Sequence, residues 1–237
     1  MNEPRFPDDD AFAGGEPATL QLAGPAGALE AIVEAPDPDV PSRPVVAIVC
    51  HPLPTEGGTM HNKVVTMSAR ALRESGVTTV RFNFRGIGVS EGTFDEGQGE
   101  IEDLRAVAAW VREQQPDAQL WLAGFSFGAY ISLALAAELS PGMLILVAPP
   151  AGRSWNLEAL PPPQCPWLVI QGEADEVVDP EKVYAWLDAL KPLLQHPPEV
   201  VRMPDTTHFF HRRLMDLRGA VKNGIKPYLP PPAERGE

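Results

Sequence analysis

Residues 119–130 read Q-L-W-L-A-G-F-S-F-G-A-Y. Leu120 to Ala123 make a short apolar run that suits a buried strand. Residues 129–139 are mostly small and compatible with a helix. Between them lies Gly124-Phe125-Ser126-Phe127-Gly128, a G-x-S-x-G segment in strand–turn–helix context. A serine on so sharp a turn takes strained backbone angles. The positions two before and two after it must then be small, because a Cβ there would clash with the turn. Such a turn lifts the Ser126 hydroxyl above the carboxyl edge of a sheet. The next helix begins beneath it, and the positive end of that helix favours negative charge developing nearby. A bare G-x-S-x-G arises often by chance, so the reading depends on partners elsewhere in the chain.

Working outward, apolar runs alternate with helical periodicity. Residues 19–22 and 28–34 predict a hairpin around a turn at 24–27. Residues 45–50 are apolar throughout, as in a strand buried on both faces. Residues 62–75 predict an amphipathic helix stopped by Gly76. Further strands are expected at 77–84, 120–126, 143–147, 167–170 and 200–203. Helices are expected at 101–115, 129–139 and 181–190 and near 212–221. Residues 85–92 are expected to form a flexible loop. This alternation predicts right-handed βαβ crossovers and a mostly parallel, twisted α/β sheet of about seven to eight strands, with helices on both faces. One domain over 18–225 is expected, with loose or Pro-rich tails at 1–17 and 226–237. Ligands of such sheets bind beyond the carboxyl ends of strands.

A serine hydroxyl is a weak nucleophile without a base, and the base needs an acidic orienter. Both follow in chain order. Asp175 comes directly after the strand ending at Ile170, with Gly172 allowing a tight exit. Glu173, Glu176, Asp179 and Glu181 compete for the orienter role, and Asp179 suits the cap of the following helix better. His208 follows the last strand in Asp205-Thr206-Thr207-His208. Of the other four histidines, His196 sits among prolines and His211 is expected inside the next helix. His51 and His61 lie on the loop after 45–50, His51 as a possible brace and His61 unassigned. A tetrahedral intermediate needs two donors on its oxyanion. The Phe127 N–H follows the nucleophile. In His51-Pro52-Leu53-Pro54 the prolines have no N–H, which leaves Leu53 as the second donor.

With these residues in place, the chain resembles the α/β-hydrolases, and among them the small cap-less serine hydrolases of bacteria. The resemblance rests on the H-P-x-P loop and on Gly57-Gly58-Thr59-Met60-His61-Asn62-Lys63. It also rests on R-G-x-G-x-S-x-G at 85–92 and on the segments around Asp175 and His208. It implies Ser126 as nucleophile, Asp175 as orienter and His208 as base. It implies no cofactor. The interval 148–164 is too short for a helical cap, so an open pocket is expected, with Arg153, Trp155 and Leu157 along one wall. The expected activity is cleavage of small carboxylic esters. Thioester or peptide cleavage, or a non-catalytic binding role on the same fold, are the alternatives.

Composition excludes other classes. The chain has 237 residues, 44% hydrophobic and 22% charged, which places it among globular proteins. A net charge of −13 argues against nucleic acid and anionic membrane surfaces as partners. No apolar run reaches the roughly 20 residues of a membrane span. The first ten residues lack a signal-peptide pattern, and the two cysteines, Cys50 and Cys165, read as reduced core thiols, so a cytoplasmic location is expected. The glycines of 85–92 run G-x-G-x-x-x-G, which does not fit a dinucleotide fingerprint. No His or Cys pair has metal-ligand spacing. Nothing in the sequence reads out an oligomeric state.

Overall fold

The computed structural model describes residues 11–12 and 17–233. Most of the expected N-terminal tail and the last four residues of the C-terminal one lie outside that range. Eight strands form one sheet: β1 (Ala18–Gly24), β2 (Gly27–Glu34), β3 (Val45–Cys50), β4 (Thr78–Phe82), β5 (Gln119–Phe125), β6 (Met143–Val147), β7 (Trp167–Gly172) and β8 (Glu199–Met203). Their order is β1-β2-β4-β3-β5-β6-β7-β8. The β1–β2 hairpin is antiparallel and β2 runs antiparallel to β4; every other pairing is parallel. Among the described residues five α-helices complete the fold: α1 (Lys63–Arg73), α2 (Gln98–Gln114), α3 (Phe127–Leu139), α4 (Pro180–Leu190) and α5 (Leu214–Ile225).

The central strands read as unbroken apolar runs because both of their faces are covered. Successive side chains point to opposite faces. Leu120 and Leu122 of β5 enter one core with α2, α3 and α4, while Trp121, Ala123 and Phe125 enter the other with α1 and α5. In the same way Val46, Ile48 and Cys50 of β3 go to the first core, and Val45, Ala47 and Val49 to the second. Each fully buried aliphatic side chain of this kind stabilises by roughly 2 kcal/mol. Cys50 and Cys165 are buried free thiols.

Several helices begin earlier or later than their apolar periodicity suggests. α2 starts at Gln98, three residues before the first apolar position. The buried Glu100 carboxylate holds its entry by accepting from the Asp95 and Gly97 N–H groups. His211 lies in a turn ahead of α5, not within the helix. The 85–92 segment is not a flexible loop. Arg85 grips the buried Asp103 (Nη2–Oδ1 2.8 Å), and the Ser90 hydroxyl accepts from the Glu30 N–H and donates to the Asn83 carbonyl. The glycine-rich pattern there serves packing. Beyond α5, the Ala233 N–H donates to the Ser42 carbonyl at 2.8 Å, which ties the end of the described chain to the loop before β3. Among the described residues no helix is long and apolar enough to cross a membrane.

Candidate active site

β5 runs in the middle of the sheet, between β3 and β6. Its last residue is followed by Ser126, with φ 54° and ψ −115°, an angle pair that L-residues avoid. Two contacts hold the turn. The Ser126 N–H donates to the Val147 carbonyl at the end of β6, and the Ser126 carbonyl accepts from the Ala129 and Tyr130 N–H groups as α3 begins. Both flanking glycines are places of close approach. A Cβ on Gly124 would stand 2.1 Å from the Gly128 carbonyl oxygen, and one on Gly128 would stand 2.3 Å from that of Cys50. The first contact lies within the turn. The second is with the end of β3.

His208 and Asp175 arrive on loops after neighbouring strands, β8 and β7. The loops interlock. The Glu173 N–H donates to the Met203 carbonyl and the Ala174 N–H to that of Thr206, where a Cβ on Gly172 would stand only 2.3 Å away. The Glu176 carboxylate accepts the His208 backbone N–H at 3.1 Å. In this setting His208 Nδ1 lies 2.8 Å from Asp175 Oδ2, and Nε2 lies 3.1 Å from Ser126 Oγ. All three residues are almost wholly buried. The His208 ring also packs on Phe125 and Phe209, with ring centroids 5.0 Å away in each case.

Asp175 is the most heavily satisfied of the three. Its Oδ1 accepts from the Val177 and Val178 N–H groups, and its Oδ2 accepts from the Gln171 amide as well as from His208. Burial pushes the carboxyl upward, but the His208 hydrogen bond and charge, with the two amides, outweigh it and hold it below the ordinary carboxylate range. An ionised carboxylate only accepts. Nδ1 therefore carries the proton, and Nε2 turns its lone pair to the serine hydroxyl. Such a row can draw a proton from Oγ to Nε2 while leaving the carboxylate charged.

The loop after β3 is braced from below by His51, which is fully buried. The Phe84 N–H donates to its Nε2 at 3.0 Å, so Nδ1 holds the proton and donates to the Pro52 carbonyl at 2.7 Å. Burial lowers its pKa to about 4, although the Pro52 bond works against this. Above it, the Leu53 carbonyl accepts from the Glu56 and Gly58 N–H groups. Among the described residues the Leu53 N–H has no backbone acceptor. Phe127 opens α3, so its N–H has none within the helix.

A cavity of about 420 Å³ opens at this edge. Ser126 and His208 are in its lining, with Leu53, Asn62, Trp155 and Phe209 among the walls. Of the wall residues expected from sequence, Arg153 and Trp155 line it, whereas Leu157 turns inward to the core. His61 is exposed and lies outside the lining. Asp179 caps α4, its carboxylate accepting the Glu181 N–H. Gln171, whose amide donates to Asp175, is not singled out in the sequence, and Glu176, one of the acids competing with Asp175 there, instead accepts the His208 N–H. The available signal is a polar residue, Gln171, closing an otherwise apolar strand.

Between β6 and β7, where a lid would be inserted, there is only an irregular segment with a turn closed by the Arg153 N–H on the Pro150 carbonyl and another short turn at Leu157–Ala159. The family model described as serine aminopeptidase, S33, matches residues 46–164. A lid-less α/β serine hydrolase of Xanthomonas campestris is 59% identical, covering 98% of this chain and 100% of that one, with a TM-score of 0.88. The chain belongs to the α/β-hydrolase superfamily, in its lid-less form. An α/β serine hydrolase homologue of Coxiella burnetii is 44% identical over 88% of this chain and 97% of its own, with a TM-score of 0.82. An uncharacterized protein of Rickettsia prowazekii (strain Madrid E) is 32% identical over 86% of this chain and 87% of its own. Like the Xanthomonas campestris protein, this hydrolase has no lid, and among the described residues no inserted domain covers the carboxyl edge of its sheet.

Proposed function

We propose that this hydrolase cleaves small carboxylic esters through an acyl-enzyme, with Ser126 as nucleophile, His208 as base and Asp175 as orienter. The observation that carries the reading is the hydrogen-bonded row itself, at 3.1 and 2.8 Å, ending on a serine held at a strained turn. Ser126 Oγ attacks the ester carbonyl carbon as its proton passes to His208 Nε2. The oxyanion that forms is received by the Leu53 and Phe127 N–H groups, neither of which has a backbone acceptor among the described residues. The intermediate collapses, the carbonyl–alkoxy bond breaks and the alcohol leaves with the proton from Nε2. Water then repeats the sequence on the acyl-serine, giving up its proton to Nε2, which returns it to Ser126 Oγ.

The match to a family model described as serine aminopeptidase favours amide cleavage as a second reading. A panel of activated esters, thioesters and amides separates the two. Esters are expected to turn over fastest. Ser126→Ala and His208→Ala are each expected to lower kcat by on the order of 10³-fold or more, with unchanged circular dichroism. A fluorophosphonate probe should label the wild type and not Ser126→Ala. A wild type that takes no label would instead support a binding role on this fold.

A further inference from the structure

The strand order places the two charged walls of the cavity on opposite sides of Ser126. β3 and β6 flank β5, so the loops that follow them stand to either side of the serine. The loop after β6 brings Arg153 to the cavity beside Trp155. Arg81, Arg85 and Arg218 meet carboxylates, whereas Arg153 is exposed and, among the described residues, pairs with none. Gly152, at φ 69°, precedes it. A Cβ there would stand 2.3 Å from Lys182 Cδ, so the Lys182 stem lies against the Gly152 main chain. The stem of a second cation, likewise without a carboxylate partner among the described residues, thus lies beside the loop that carries Arg153, although Lys182 itself is not in the cavity lining. Two such cations close in one region are conspicuous on a chain of net charge −13.

The other side carries the opposite sign. Glu56, on the loop after β3, lines the cavity, is exposed and has no cation partner among the described residues. Trp155, on the same loop as Arg153, already spends its indole N–H on the Glu96 carbonyl at 3.2 Å, so it offers the cavity a ring and no donor. We infer that the site selects esters that carry a carboxylate, seated against Arg153 on the β6 side. Lys182 adds to the local field, Trp155 covers the carbon skeleton, and Glu56 repels the reversed orientation. This deepens the ester-hydrolase reading and rests on it. A carboxylate on the acyl part and one on the alcohol part would be recognised by the same chemistry.

Two matched pairs of substrates distinguish them. The first is 4-nitrophenyl hemiglutarate against 4-nitrophenyl valerate, with the charge on the acyl side. The second is 4-acetoxybenzoate against 4-methylphenyl acetate, with the charge on the leaving side. The quantity read is the charged-to-neutral ratio of kcat/KM, compared between variants so that intrinsic ester reactivity cancels. Arg153→Gln is expected to lower that ratio about five- to tenfold on one pair, mainly through KM, and Arg153→Glu to lower it further. Glu56→Gln should raise it, and 0.5 M salt should shrink the wild-type preference. The affected pair identifies the side on which the carboxylate sits. A ratio that moves less than twofold in both pairs, with both Arg153 variants, would overturn the inference while leaving ester hydrolysis intact. Failure of the wild type to turn over even the neutral esters would overturn the parent reading instead.

Discussion

A methyl group on Gly128 would stand 2.3 Å from the Cys50 carbonyl oxygen and 2.6 Å from that of His51. Both are main-chain atoms at the end of a central strand, and neither can swing aside as a side chain would. Gly128→Ala should therefore cost about 2 kcal/mol or more of stability, read as a lowered urea midpoint with an unchanged slope. The need for small residues beside Ser126 is legible in the G-x-S-x-G spacing, but its full cause is not. Sequence reasoning assigns the clash to the turn. That holds for Gly124, which meets Gly128. Gly128 itself is limited by β3, far away in the chain, and only the parallel pairing of β3 with β5 makes the two neighbours. The role of Glu176 escapes a sequence reading for the same reason, because His208, whose backbone N–H it accepts, is distant in the chain and reaches it by tertiary packing. Gln171 is local to Asp175, and only the fold of that loop turns its amide onto the Asp175 carboxylate.

At the scale of elements, alternating apolar runs and helical periods reveal the order of strands and helices well, because both faces of the sheet are covered. Their ends are less legible. α2 opens on a polar turn capped by Glu100, where apolar periodicity gives no signal. The glycine-rich 85–92 segment has the composition of a loose loop, yet Arg85, Ser90 and Glu30 bind it through partners distant in sequence. His51 joins two such ends, the loop after β3 and the exit of β4, as a neutral ring. Its pKa lies near 4 in the fold against an ordinary 6.5. The unfolded chain thus takes up a proton at higher pH than the folded one does. The stability that neutral His51 contributes is complete above about pH 6.5 and is lost as pH falls toward 4, a total on the order of 3 kcal/mol. Asp175, also held low, contributes in a separate window below its ordinary 3.8. Urea unfolding at pH 8, 6 and 5 should show the first loss in the wild type, and His51→Asn should flatten it.

For the molecule as a whole, the uncovered edge of the sheet sets what can be held. A cavity of about 420 Å³ on a lid-less edge, lined by residues around Ser126 and His208, offers limited wall to a bound molecule. Long acyl chains would lie in water and gain little from burial there. Across a series of nitrophenyl esters, kcat/KM is expected to be highest for short chains and to fall toward twelve carbons. A steady rise with chain length would contradict this picture.

The irregular connection between β6 and β7 has a further consequence. It is anchored at one end by the Ala148 N–H on the Ile170 carbonyl and at the other by the Leu144 N–H on that of Pro166. It supplies Arg153 and Trp155 to the cavity but none of the three residues in the hydrogen-bonded row. On the proposed mechanism, bond cleavage belongs to residues outside this connection, and part of the proposed choice of molecule to residues within it. Grafted or randomised sequences between those two anchors offer a route to new selectivities on an unaltered reactive centre.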